Sequence, residues 1–158
     1  MNVLDPTHAA YIAGVIEGDG HIGLVRRKNS WRKDGTSRGS YLRPIVQIGQ
    51  AKPELLEHIM FLVGEGKIAH YKQRCFYNLR YFPTVLRELL PQLLPFLFIK
   101  RRQAEIVLEF LECCAYKPQW GKVLPETVLQ RREVLAQECT RLNMKPGTLA
   151  KLAGAEVS

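Results

Sequence analysis

The chain has 158 residues, enough for one domain with a substantial core. Hydrophobic residues make up 46% and charged residues 24%, which excludes a disordered polymer. A net charge of +8 at pH 7 points to a polyanionic partner. The single domain is expected over residues 1–158, with its core over about 8–114 and extra helices over about 125–153.

The first element spans the stretch before Gly20. Asp5 reads as an N-cap and Pro6 as a first-turn proline. Gly18 and Gly20 read as the helix end. On a helical wheel Tyr11, Ile12, Val15 and Ile16 cluster on a bulky side. Ala10, Ala13, Gly14, Glu17 and Gly18 cluster on a side that lets another backbone approach closely. Glu17 and Asp19 lie at the negative end of the macrodipole, where carboxylates are disfavoured unless a cation is near. Two exposed loop acids are the bland reading. The tight glycine setting favours a metal site.

From His21 to Gln50 the pattern changes to two strands, one around Ile22, Leu24 and Val25 and one over Leu42 to Ile48. The polar segment from Asn29 to Ser40 joins them, with Gly35 and Gly39 as turn residues. Arg26, Arg27, Lys28, Arg32, Lys33, Arg38 and Arg43 face one acid, Asp34. Asn29, Trp31, Tyr41 and Gln47 add hydrogen-bonding and stacking groups. A solvated charged hairpin is the plain alternative. A two-stranded ribbon of this composition fits the DNA major groove. Val25, Tyr41, Arg43 and Gln47 are among its expected DNA contacts. Ile45 interrupts the polar face, as an apolar contact to a thymine methyl would.

Pro53 to Val63 reads as an amphipathic helix ended by Gly64 and Gly66, with His58 a surface or half-buried residue. Lys67–Gln73 and Cys75–Leu79 read as a second hairpin turning near Arg74. Lys67, Ala69 and Tyr71 alternate on one face, which Phe76 and Asn78 extend. The expected DNA contacts here are Lys67, Tyr71, Arg74, Phe76 and Asn78. The two hairpins together predict a four-stranded DNA-facing antiparallel sheet.

Thr84 to Leu90 predicts a short helix that stops at Pro91. A longer helix follows Lys100-Arg101-Arg102 and runs to about Cys114. Those cations sit at the unfavourable end of its dipole, and either solvent or phosphates would accept them. Pro125–Arg141 and Pro146–Ala153 predict two further helices, with Arg131 and Arg132 on a phosphate-facing or a solvated face. Cys75, Cys113, Cys114 and Cys139 show no CxxC spacing and no metal-ligand grouping with the four histidines. They read as free thiols in an intracellular, reducing compartment, cytoplasm, nucleoid or organelle matrix, rather than a secreted one. No signal peptide or membrane-spanning run is legible, so no membrane partner is expected.

Ile12 to Gly20, Ile-Ala-Gly-Val-Ile-Glu-Gly-Asp-Gly, resembles the signature of LAGLIDADG homing endonucleases, allowing Glu for Asp at Glu17. The signature occurs once, so the chain looks closest to the single-motif branch, in which two identical chains pack their signature helices together. The resemblance implies an α+β fold of order αββαββα with extra C-terminal helices. It implies a homodimeric endonuclease of intron homing that makes a staggered double-strand cut at a long pseudo-palindromic site. By the same resemblance Asp19 and the Gly18 carbonyl would bind magnesium or manganese, and Gln50 and Lys100 would complete the catalytic set. Some relatives carry an arginine shortly after that glutamine. Here Ala51-Lys52-Pro53-Glu54 offers only Lys52. Two rival readings remain, an RNA maturase assisting splicing and a non-catalytic DNA-binding regulator. The second would have lost the metal acid, and Asp19 is present.

Overall fold

A computed structural model describes residues 1–28, 40–115 and 124–144. Helix α1 spans Pro6–Asp19 and runs without a loop into strand β1, Gly20–Lys28. Strand β2 covers Ser40–Gln50 and helix α2 Glu54–Val63. Strands β3 (Lys67–Tyr71) and β4 (Phe76–Tyr81) flank a short 3-10 turn, Lys72–Arg74. Helix α3 spans Pro83–Leu93, α4 Arg101–Ala115 and α5 Glu126–Leu142. The class is α+β, with a four-stranded antiparallel sheet in the order β1-β2-β4-β3. The expected element order therefore holds through α4. The expected helix over 146–153 lies outside the described residues, as do Asn29, Trp31, Arg32, Lys33 and Arg38 and the side chains of Lys28 and Arg74.

Local chemistry explains the ends of the elements. Asp5 accepts hydrogen bonds from the Thr7 and His8 backbone N–H groups at 2.9 and 3.1 Å, so α1 starts where the cap places it. Gly64 closes α2 at φ 77, a left-handed conformation that favours glycine. Pro91 does not stop α3, which runs on to Leu93. A proline costs one helical hydrogen bond. Against that, Leu86, Leu89, Leu90 and Leu93 bury one continuous face with no residual exposure. Burying four leucines outweighs one lost bond, at roughly 1.5–3 kcal/mol per side chain.

Alternation assigns the sheet its two faces. Ile22, Leu24, Val46, Ile48, Leu79 and Tyr81 point into the core with Ile12 and Ile16 of α1, Leu56 and Ile59 of α2, and Ile106 and Val107 of α4. Among the described residues the opposite face carries no helix, and it presents the other parity. β1 is an edge strand, and α5 lies along it. Asn143, just past the end of α5, donates from Nδ2 to the Ile22 carbonyl at 3.0 Å, which occupies an otherwise open edge group. Arg26 of β1 makes an ion pair with Glu133 of α5 at 2.7 Å.

Candidate metal centre and nucleic-acid interface

Asp19 is the last residue of α1, and Gly20 turns the chain from helix to strand with extended backbone, φ −90 and ψ 167. A Cβ at Gly20 would lie 2.7 Å from the Ile16 Cα and 2.8 Å from its carbonyl oxygen, so only glycine fits this junction. Gly20 pairs with Ile48, which brings the end of β2 beside the end of α1. Gln50, the last residue of β2, donates from Nε2 to Asp19 Oδ2 at 2.7 Å. Two residues far apart in sequence thus meet because a helix end and a strand end share one register.

The cation that α1 lacks in sequence comes from the start of α4. Lys100 Nζ donates to the carbonyls of Ile16, Glu17 and Gly20 at 2.7, 2.8 and 2.8 Å. An ammonium has three donors, and all three meet the negative end of the α1 dipole. Glu17 returns the favour at the other helix. Its carboxylate accepts the backbone N–H groups of Phe98, Ile99 and Lys100 at 2.9, 3.1 and 3.0 Å, at the positive end of α4. Burial pulls the Lys100 ammonium below its usual range, while the charges of Glu17 and Asp19 push it up.

Lys100, expected in the catalytic set, thus hydrogen-bonds three backbone carbonyls at the end of α1. Glu17, expected beside a partner helix, accepts three backbone N–H groups of its own chain. Replacing Lys100 by Met leaves those carbonyls without their charged donor. Lys100→Met is expected to lower unfolding free energy by about 2–3 kcal/mol, the scale of one charged hydrogen-bonding group. Urea unfolding checks this, and an unchanged midpoint would refute the capping role.

The α1 faces are rotated from the wheel reading. Ala9, Ile12, Ala13 and Ile16 are buried in the chain's own core. Ala13 is therefore no part of an outward small face, which comprises Ala10, Gly14 and Gly18. Tyr11, expected inside, is 42% exposed, with its ring 6.0 Å from that of His58. A Cβ at Gly14 or Gly18 would meet nothing within 4 Å.

The open sheet face gathers Val25 and Arg27 of β1, Tyr41, Arg43, Ile45 and Gln47 of β2, Phe76, Asn78 and Arg80 of β4, and Lys67 and Tyr71 of β3. Val25, Arg27, Arg43, Ile45, Lys67, Ala69, Arg80 and Phe82 line one recess on it. Arg43 lies over the Phe82 ring at 5.0 Å. Ile45 is only 7% exposed although it faces outward, so it forms an apolar floor beneath a cationic rim. Arg26 has the other parity and its Glu133 pair, so it is not on this face. Asn78 is buried at 7% exposure. Arg80 lies one residue beyond Leu79, where the sequence pattern ends the strand, and β4 runs on to Tyr81. The Phe76-Asn78-Arg80 alternation carries the signal once β4 is extended.

Several other cations among the described residues meet acids or carbonyls. Arg101 pairs with Glu105 at 3.2 Å, and Arg102 with Glu138 at 2.8 Å and Glu109 at 3.0 Å. Arg131 also pairs with Glu109. Arg132 donates to the Cys113 carbonyl at 2.8 Å. The contacts of Arg102 with Glu138, of Arg131 with Glu109 and of Arg132 with Cys113 fasten α5 to α4.

The donor chemistry at the α1 end suits a hard divalent ion. Asp19 is exposed, and among the described residues only Gln50 donates to its carboxylate. No group of three or more His, Cys, Asp or Glu that could hold a metal occurs among the described residues. A single exposed carboxylate is the kind of donor that a hard divalent ion takes alongside its waters and substrate phosphates.

The chain thus combines an α+β fold, an open basic sheet face and an exposed carboxylate at a helix-to-strand junction. Solved structures with this architecture are homing endonucleases. I-CvuI, in complex with the I-CreI target in the presence of magnesium with the DNA not cleaved, superposes with a TM-score of 0.70 at 24% identity, over 89% of this chain and 85% of that one. The archaeal intron-encoded homing endonuclease I-Vdi141I, complexed with DNA, gives 0.69 at 26% identity over 88% and 86%. The homing endonuclease I-TnaI gives 0.61 at 19% identity over the full length of both chains. No family model matches the sequence, and no curated protein matches it.

Proposed function

We propose that the protein is a site-specific DNA endonuclease of the LAGLIDADG type, acting as a homodimer in intron homing. The observation that carries this reading is the Asp19–Gln50 pair beside the exposed Ala10-Gly14-Gly18 stripe, with the basic sheet face alongside. Two α1 helices packed along that stripe place two Asp19 carboxylates near one dyad. A two-fold protein matches a long pseudo-palindromic duplex. By resemblance, the two strands are cut with a stagger across the minor groove.

Asp19, with the Gly18 carbonyl, would hold magnesium or manganese. When bound, the ion supplies Lewis acidity at the phosphate and lowers the pKa of water. Gln50 fixes the Asp19 carboxylate and lies beside it to orient a water. Glu17 and Lys100 hold the end of α1 against the start of α4, so Asp19 keeps its place as the substrate binds. Arg27, Arg43, Lys67 and Arg80, which meet no acid among the described residues, would supply positive charge to the duplex. The four free cysteines fit a reducing, intracellular compartment. Among the described residues no helix is long and apolar enough to cross a membrane.

Incubation with a randomised duplex library and magnesium, followed by sequencing of cut ends, tests the reading. Paired cuts at a two-fold symmetric consensus are expected. Binding to that consensus should weaken with salt at a log–log slope of about −0.9 per phosphate neutralised. An uncut library, or a flat salt dependence, would overturn the assignment. A footprint on intron RNA without DNA cleavage would favour the maturase.

A further inference from the structure

The open-face cations differ in how firmly they are held. Arg27 and Lys67 are exposed, and long exposed side chains suit phosphates, which ask for charge rather than orientation. Arg80 is held from two sides. Its Nε donates to Asn78 Oδ1 at 3.3 Å. Its Nη2 donates to the Tyr71 hydroxyl, and the guanidinium carbon lies 5.5 Å from the centre of the Tyr71 ring. Neither partner is an acid, so the positive charge is not neutralised. A guanidinium has five donors in a rigid fork. Nη1 has no partner among the described residues, so the outer end of the fork is open.

The supports are themselves fixed. Asn78 is 7% exposed and sits opposite Ala69 of β3 and Gly49 of β2. Tyr71 pairs with Phe76, whose ring lies over Gly49 so closely that a Cβ there would fall 2.1 Å from the Phe76 Cζ. Arg80 stands between Gln47 and Lys67 across the sheet. Orienting an arginine before binding removes rotamer entropy that would otherwise be lost on the complex. That arrangement serves a target with fixed geometry. In the major groove, the two acceptors of guanine, O6 and N7, match an arginine fork.

We propose, resting on the endonuclease reading, that Arg80 is a specificity-determining residue that reads one guanine in each half-site. Asn78 and Tyr71, both expected from sequence to touch DNA, instead act as positioning residues for Arg80.

The test compares cleavage preferences of the parent chain and Arg80→Lys on the randomised duplex library with magnesium. The parent should enrich guanine at one pair of positions related by the dyad. Arg80→Lys keeps the charge and loses the fork, so discrimination at that pair should fall roughly ten- to hundredfold. Preferences at other positions should persist. Tyr71→Phe and Asn78→Ala should relax the same pair of positions by a smaller factor. A parent with a sharp consensus that Arg80→Lys leaves intact overturns the inference alone. So does a uniform fall across all sequences, which marks a phosphate contact. A parent that cuts no duplex overturns the endonuclease reading and this inference with it.

Discussion

Asp19→Asn is expected to abolish cleavage while leaving specific DNA binding in place. Asp19 is the exposed carboxylate at the centre of the site, held by Gln50 at 2.7 Å. Asparagine is the same size and can still accept from Gln50 through its carbonyl oxygen, so the helix-to-strand junction keeps its shape. What it lacks is the negative charge that, on the proposed reading, would retain a divalent ion among its waters. Lewis-acid stabilisation of a phosphoryl transition state is worth several kcal/mol, so the rate should fall by about a thousandfold or more. On the proposed reading affinity rests on the open sheet, whose cations this change does not touch. Single-turnover cleavage and a parallel binding isotherm check both halves. Cleavage within tenfold of the parent would remove Asp19 from the metal role, and a lost isotherm would mean that the change damaged the fold or the interface.

The second large effect is expected from Gly14→Leu. Within one chain, a Cβ at Gly14 meets nothing within 4 Å. Gly14 lies inside α1, where a glycine costs about 1 kcal/mol relative to a good helix former. The monomer should therefore fold at least as well as the parent. Between chains the outcome reverses. Ala10, Gly14 and Gly18 recur at four-residue spacing on the exposed side, and close helix contact along such a stripe needs small residues. In the proposed homodimer a leucine at its centre would hold the partner helix away from α1. Sedimentation should report a stable monomer, and double-strand cleavage should disappear. A variant that remains dimeric and active would place the interface elsewhere. A variant that is monomeric yet unstable would locate the fault in the fold.

The polarity of the surface follows from a few committed contacts. Many cations cluster in the sequence without distinction, yet Arg26, Arg101, Arg102 and Arg131 all meet carboxylates. Their acids, Glu105, Glu109, Glu133 and Glu138, are scattered along α4 and α5. Packing α5 against α4 and β1 brings Arg26, Arg102 and Arg131 to their acids, while among the described residues Arg27, Arg43, Lys67 and Arg80 of the sheet meet none. The net positive charge is legible from composition, and its direction is not.

Much was written locally. Asp5 and Gly20 set the ends of α1, the two-residue alternation chose which parity of each strand enters the core, and the glycine-acid signature marked Asp19. These depend on a residue and its near neighbours, through capping bonds, backbone sterics and pleat geometry. The strand position of Gln50 was legible for the same reason. Pro91 shows where local rules yield, because the buried leucine face of α3 outweighs one missing hydrogen bond. Ala13 and Tyr11 exchanged places because an all-apolar helix has no intrinsic inward side, and only its neighbours choose one. The sharing of charges between Glu17 and Lys100 needed two helix ends to meet across eighty residues of chain. The support of Arg80 by Tyr71 depends on the register of β3 against β4, whereas that by Asn78 comes from the same strand. Elements arise from short-range constraints, whereas a site arises from which ends come together, and that is decided by burial summed over the whole molecule.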